Sequence, residues 1–129
     1  MNQTLDQKRA ALAWGYASAG MSQSFGTEYK SLAKGAPALI MNSGLMPALA
    51  YYHGKSDAAR LLLDDLIRGL VVRLQGSSLK AGEGRRSFPQ FMTMLQKSES
   101  QSYLRYTDEA LELLKWIRQF VSAVDSREH

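Results

Sequence analysis

Apolar residues recur along most of the chain at spacings of three, four and seven, which puts them on one face of an α-helix. No segment has the two-residue alternation of a strand bounded by hairpin turns. The pattern is clearest in the segment from residue 57, where Leu63, Leu66, Ile67, Leu70 and Leu74 form one line, with Ser56 or Asp57 as cap and Gln75-Gly76 as stop. A first helix is predicted over residues 5–19. Thr4 and Gln7 have the spacing of a capping box, Leu5, Leu12, Tyr16 and Ala19 make the apolar stripe, and Gly20 ends it. A short second helix is predicted over 25–34 with Tyr29, Leu32 and Ala33 inward and Gly35 as its stop. Pro37 then suits the first turn of a third helix over 36–53, broken or kinked at 44–47. Gly44 there either caps the first half or lets another helix approach closely, and the pattern leaves both open. Ser87 with Gln90 and Ser98 with Gln101 repeat the capping pattern, the first opening a helix to residue 97 with Pro89 in its first turn. The last helix carries Ala110, Leu113, Leu114, Ile117, Phe120, Val121 and Val124 on its apolar face, and either continues from residue 98 or restarts near Thr107. The expected fold is all-α: a compact single-domain bundle of five to seven helices over residues 1–129, without internal repeats.

Residues 76–86 interrupt this pattern. Three glycines, two serines and three basic residues in eleven positions describe a flexible, glycine-rich basic loop, too short and too central to divide two domains. Charge adds a second asymmetry. The chain carries +4, but residues 1–97 hold 12 basic and 6 acidic side chains, and residues 98–129 hold 4 basic and 6 acidic. A basic body with an acidic final segment suits a polyanion on one surface and a different partner on another. An apolar fraction of 45% is enough for a packed core. No run of 18 apolar residues exists to cross a membrane, and residues 1–10 place Asp6, Lys8 and Arg9 where a secretory signal needs an apolar stretch. With no cysteine in the chain, the expectation is a cytoplasmic protein.

Chemistry has few candidates. Without cysteine there is no thiolate nucleophile and no cysteine-based metal site, and the two histidines, His53 and His129, form no triad or metal spacing. Phosphate-binding and dinucleotide fingerprints are missing too, so neither metal, cofactor nor catalysis is expected. Asp64 and Asp65 are adjacent on a helix, about 100° apart, and do not pair for acid–base work. With Arg60 and Arg68 they read as a solvated, salt-bridged face. Phosphate contact is the remaining chemistry. Arg85 and Arg86 in the glycine-rich loop, which also holds Lys80, are its local candidates; Lys30, Lys34 and Lys55 flank the segment 37–52 as a second basic strip. His53 reads first as a helix-end residue near terminal carbonyls, and Tyr103, Tyr106 and Trp116 first as core rather than as platforms for bases.

Two stretches together resemble the small helical subunit of the type III-B (Cmr) CRISPR complex. Pro37-Ala-Leu-Ile-Met-Asn-Ser-Gly-Leu-Met-Pro-Ala-Leu-Ala-Tyr51 is similar to that family's Pro-x-x-Ile-x-x-x-Gly-Leu motif followed by a Leu-Ala-aromatic segment. Tyr103-Leu-Arg-Tyr-Thr-Asp-Glu-Ala-Leu-Glu-Leu-Leu-Lys-Trp-Ile-Arg118 is similar to its tyrosine–arginine, Glu-Ala and Trp-aliphatic-basic pattern. The resemblance implies a subunit without a catalytic role, stacked in several copies opposite the backbone subunits. With the large subunit, the copies would help line the channel for guide RNA and target RNA, while target cleavage belongs to the backbone subunit. Arg85 and Arg86 lie outside these motifs, and their candidacy rests on charge alone.

Two other classes compete. A helical protein–protein adaptor with incidental basic charge predicts a tight protein partner and no salt-sensitive RNA affinity. A helix-turn-helix regulator needs a basic recognition helix after a short turn, and residues 37–51 are apolar and broken by proline.

Overall fold

Seven α-helices account for nearly all of the chain in the computed structural model, which describes residues 2–127, with side chains through residue 124. His129 lies outside the described residues. The helices are α1 (Leu5–Met21), α2 (Gly26–Ser43), α3 (Leu45–Lys55), α4 (Asp57–Leu70), α5 (Glu83–Arg86), α6 (Phe88–Lys97) and α7 (Ser100–Arg127). There is no strand among the described residues. α4 is the central element and touches α1, α2, α3, α5 and α7, while α7 runs along α1 and α2. One core joins the helices, built from Leu62, Leu63, Leu66, Ile67 and Leu70 of α4 against Tyr29 and Ile40 of α2, Leu45 and Leu49 of α3, and Leu113, Leu114 and Ile117 of α7.

Local signals account for several boundaries. Thr4 and Gln7 form the capping box, the Thr4 hydroxyl accepting from Gln7 N–H and the Gln7 amide oxygen from Thr4 N–H. Ser56 caps α4 by accepting from Ala59 N–H at 3.2 Å. Gly44 joins α2 to α3 at φ 96°, ψ 162°, a conformation open essentially to glycine alone. That junction resolves its role: it is a backbone corner, and Pro47 falls in the first turn of α3, where no intrahelical donor is needed.

Elsewhere the structure departs from the sequence pattern. α2 runs unbroken through Gly35 and Pro37, because Tyr29, Ala33, Ala36 and Ile40 make one buried face on both sides of the proline. That packing outweighs the loss of one helical hydrogen bond. α1 buries Ala13, Tyr16, Ala17 and Gly20, whereas Leu5 is 53% exposed. A face of small residues brings its neighbours close. The two later capping boxes do not form: the Ser87 hydroxyl donates to Gly84 C=O and the Ser98 hydroxyl to Leu95 C=O. α7 is continuous over 28 residues. After Leu70 the helix widens into a π-turn, Val71–Gln75, and ends at Gly76 in the left-handed conformation.

Candidate nucleic-acid interface

The surface available to a polyanion depends on which basic groups are already engaged. Glu109 of α7, 5% exposed, accepts two hydrogen bonds from Arg9 at 2.8 Å each and lies 3.5 Å from Arg73 Nε. Burial alone raises its carboxyl, but the Arg9 guanidinium and then Arg73 outweigh that and hold it below its ordinary value. Arg9 also reaches Glu112 at 3.4 Å. Arg60 pairs with Asp57, and Lys115 with Glu112. Arg9, Arg60, Arg73 and Lys115 are thus committed to carboxylates of the same bundle and leave little charge for a ligand.

Asp64 and Asp65 overturn the expectation of a solvated charged face: they are 1% and 3% exposed. Asp65 accepts a 2.6 Å hydrogen bond from the Tyr29 hydroxyl, with Arg68 Nη1 4.0 Å away. Burial is the main cause that pushes its carboxyl well above the usual carboxylate range. Arg68 stands over the ring of Tyr16, whose phenol burial raises to about 12 against the opposing charge of Arg68.

Asp64 anchors the loop. Its Oδ2 accepts from Gly82 N–H at 3.0 Å and its Oδ1 from Arg85 N–H at 2.8 Å. Arg68 Nε donates to Leu79 C=O, and the Glu83 carboxylate accepts from Lys80 N–H. Gly84 lies so close to α4 that a Cβ there would meet the Asp64 carbonyl oxygen at 2.5 Å. Residues 79–85 are thus bonded to α4 along their backbone while the side chains of Arg85 and Arg86 face solvent. The sequence pattern missed Asp64 because its partners lie 18 and 21 residues downstream; the available signal was two carboxylates set among Leu62, Leu63, Leu66 and Ile67.

The five candidate residues fall on several surfaces. Lys30 and Lys34 share one depression with Met21, Thr27 and Ser31. Lys55, at the end of α3, holds its ammonium 5.5 Å from the centre of the Tyr51 ring and does not line that depression. Arg85 borders a cleft with Gln23, Phe25 and Leu61, and Arg86 borders another with Leu79 and Gln90. Lys34, Arg85 and Arg86 have no carboxylate within ion-pair distance among the described residues. Lys8, Lys80, Lys97, Arg105 and Arg118 are exposed as well.

The aromatic candidates are engaged within the fold. The Tyr103 hydroxyl accepts from Met46 N–H at 3.1 Å and so serves the first turn of α3 beside Gly44. The Tyr106 hydroxyl accepts from the Gln75 amide, and its ring meets Phe91 edge-on. Trp116 packs at a tilt on Phe120. His53, rather than meeting terminal carbonyls, stacks on Phe88 at 4.2 Å and 6°.

Among the described residues, no three histidine or carboxylate side chains form a group that could hold a metal ion, and no helix is long and apolar enough to cross a membrane. Fold and surface together define a small all-helical bundle that displays basic side chains around an engaged polar interior. The chain belongs to the CRISPR-associated Cmr5 family, whose family model, described as CRISPR-associated protein (Cas_Cmr5), matches residues 5–124. Among solved structures it is similar in fold to the X-ray crystal structure of a CRISPR-associated Cmr5 family protein from Thermus thermophilus. The TM-score is 0.75 at 24% identity, over 95% of this chain and 98% of that one. No curated protein matches it.

Proposed function

We propose that this chain is the non-catalytic small subunit of a cytoplasmic type III-B CRISPR ribonucleoprotein. Copies of it stack along the assembly opposite the backbone subunits and, with the large subunit, line the channel for guide RNA and target RNA. Family membership over residues 5–124 is the observation that carries this reading. The surface supports it: Lys34, Lys55, Arg85 and Arg86 are exposed, and an array of such groups neutralises phosphates without reading bases. Exposed apolar side chains such as Met41 and Leu104 support contacts with neighbouring subunits.

The test reverses the charge of Lys30, Lys34, Lys55, Arg85 and Arg86 together and measures target-RNA binding by the assembled complex across a salt series. The expected result is weaker binding with a shallower salt dependence and an unchanged helical spectrum. Unchanged affinity and slope would remove all five residues from the channel wall.

A further inference from the structure

The turn between α1 and α2, the first half of α4 and the anchored loop enclose an open cleft of about 500 Å³. That volume lies within the range of about 300–1,000 Å³ typical of clefts for small ligands and cofactors. Phe25 and Leu61 supply its apolar walls, and Gln23 and Arg85 its polar edge.

Two carboxylates also border the cleft, and both are engaged. Asp64 accepts from the Gly82 and Arg85 backbone, and Asp57 is paired with Arg60. Arg85 lines the cleft with an exposed side chain that has no carboxylate partner among the described residues, while the charge of Asp64 is met by Arg68 at 3.7 Å. The Arg85 backbone N–H is held by Asp64 at 2.8 Å, so its guanidinium is presented from an anchored segment. Gln23 donates through its amide nitrogen to Ala19 C=O at 3.4 Å, which leaves its amide oxygen to accept from a ligand.

An aromatic side chain, an aliphatic wall, a guanidinium carried on an anchored backbone and an amide oxygen are the groups that hold an unstacked nucleotide. The base lies against the ring, its edge meets the amide and its phosphate meets the arginine. We propose that this cleft takes one unstacked nucleotide of single-stranded RNA. The inference rests on the RNA-facing reading above and adds to it a defined pocket.

The experiment assembles the complex on target RNA or guide RNA substituted with 4-thiouridine, irradiates it, and localises the adducts by fragmentation of the digested chain. Adducts at Gln23, Phe25 or Arg85 are expected. Arg85→Ala keeps the backbone N–H, and Phe25→Leu keeps an apolar side chain against the core while removing the aromatic ring. Each should reduce adduct yield about fivefold or more, given the ordinary size of base–aromatic stacking, with the melting temperature unchanged for Arg85→Ala and the chain still folded at the assay temperature for Phe25→Leu. Adducts confined to Lys30, Lys34 or other surfaces would overturn the cleft and leave the RNA-facing reading standing. Absence of adducts from the whole chain would overturn both. A cross-link from a neighbouring subunit onto Phe25 would also overturn the proposal, making the cleft a protein docking site.

Discussion

Replacing Asp64 by alanine removes the group that ties the loop 79–85 to the centre of the bundle. The carboxylate is 1% exposed and accepts from two backbone N–H groups, at 3.0 Å from Gly82 and 2.8 Å from Arg85. Hydrogen bonds to a charged acceptor contribute about 1.5–3 kcal/mol each, so the gross loss is roughly 3–6 kcal/mol. Two effects offset part of it. The released N–H groups rehydrate as the loop moves outward, and the cost of burying the carboxylate disappears with it. Arg68, 3.7 Å from Asp64, retains Asp65 as a partner and reaches solvent. The expected net loss is about 2 kcal/mol, which for a chain of this length lowers the melting temperature by roughly 8 °C. Urea unfolding followed by circular dichroism measures the free energy, and amide hydrogen exchange at Gly82 and Arg85 reads the two bonds directly. Fast exchange at both amides should accompany the loss of stability. A loss below about 0.5 kcal/mol with both amides still protected would refute the reasoning, since neither bond would then hold the loop.

Other positions yield independent tests. Glu109→Gln leaves Arg9 and Arg73 without their shared carboxylate and should cost about 2–4 kcal/mol, somewhat below a fully buried pair because both guanidiniums keep some solvent contact. Because the folded state holds Glu109 below its ordinary pKa, its contribution is full at neutral pH and is lost as pH falls through the folded value. The stability gap between wild type and Glu109→Gln should therefore shrink in acid, as urea midpoints at several pH values would show. Asp65 has the opposite sign. Its folded pKa is raised, so the wild type binds more protons folded than unfolded and loses stability as pH rises from the ordinary carboxylate value toward the folded one. Asp65→Asn should gain on wild type as pH rises from the ordinary carboxylate range toward neutrality, and parallel profiles would contradict the assignment. Tyr103→Phe takes the acceptor from Met46 N–H and should cost about 1 kcal/mol by urea unfolding. Gly44→Ala forces a side chain into φ 96° and should cost about 1–3 kcal/mol in the same assay.

Elements set by short-range rules were legible in the sequence. The Thr4–Gln7 capping box, the Ser56 cap and the face from Ala110 to Val124 depend on residues within a few turns of each other, and periodicity finds them. The buried face of α1 was less so, because Ala13, Ala17 and Gly20 carry too little apolar surface to register against Leu5 and Leu12. Pro37 is legible as a local helix breaker; only the packing of Ala33, Ala36 and Ile40 keeps the helix intact. The charged ladder of α4 was the largest miss. Arg60, Asp64 and Arg68 at four-residue spacing describe a solvated face equally well, and the difference lies in Gly82 and Arg85 returning to cover Asp64. For the candidate interface, composition named the basic residues but could not say which share a surface. The arrangement that separates the Lys30–Lys34 depression from the Arg85 cleft is a property of the assembled bundle.

The central claim is that the chain works inside an RNA-guided assembly. It is tested most directly by tagging the protein in its native host, purifying it under gentle salt, and identifying both the co-purifying proteins and the bound nucleic acid. The account predicts recovery of a large subunit, a repeated backbone subunit and short repeat-derived RNAs. Recovery of one unrelated protein with no RNA would contradict it, and would make the chain a protein–protein adaptor whose basic surface is incidental.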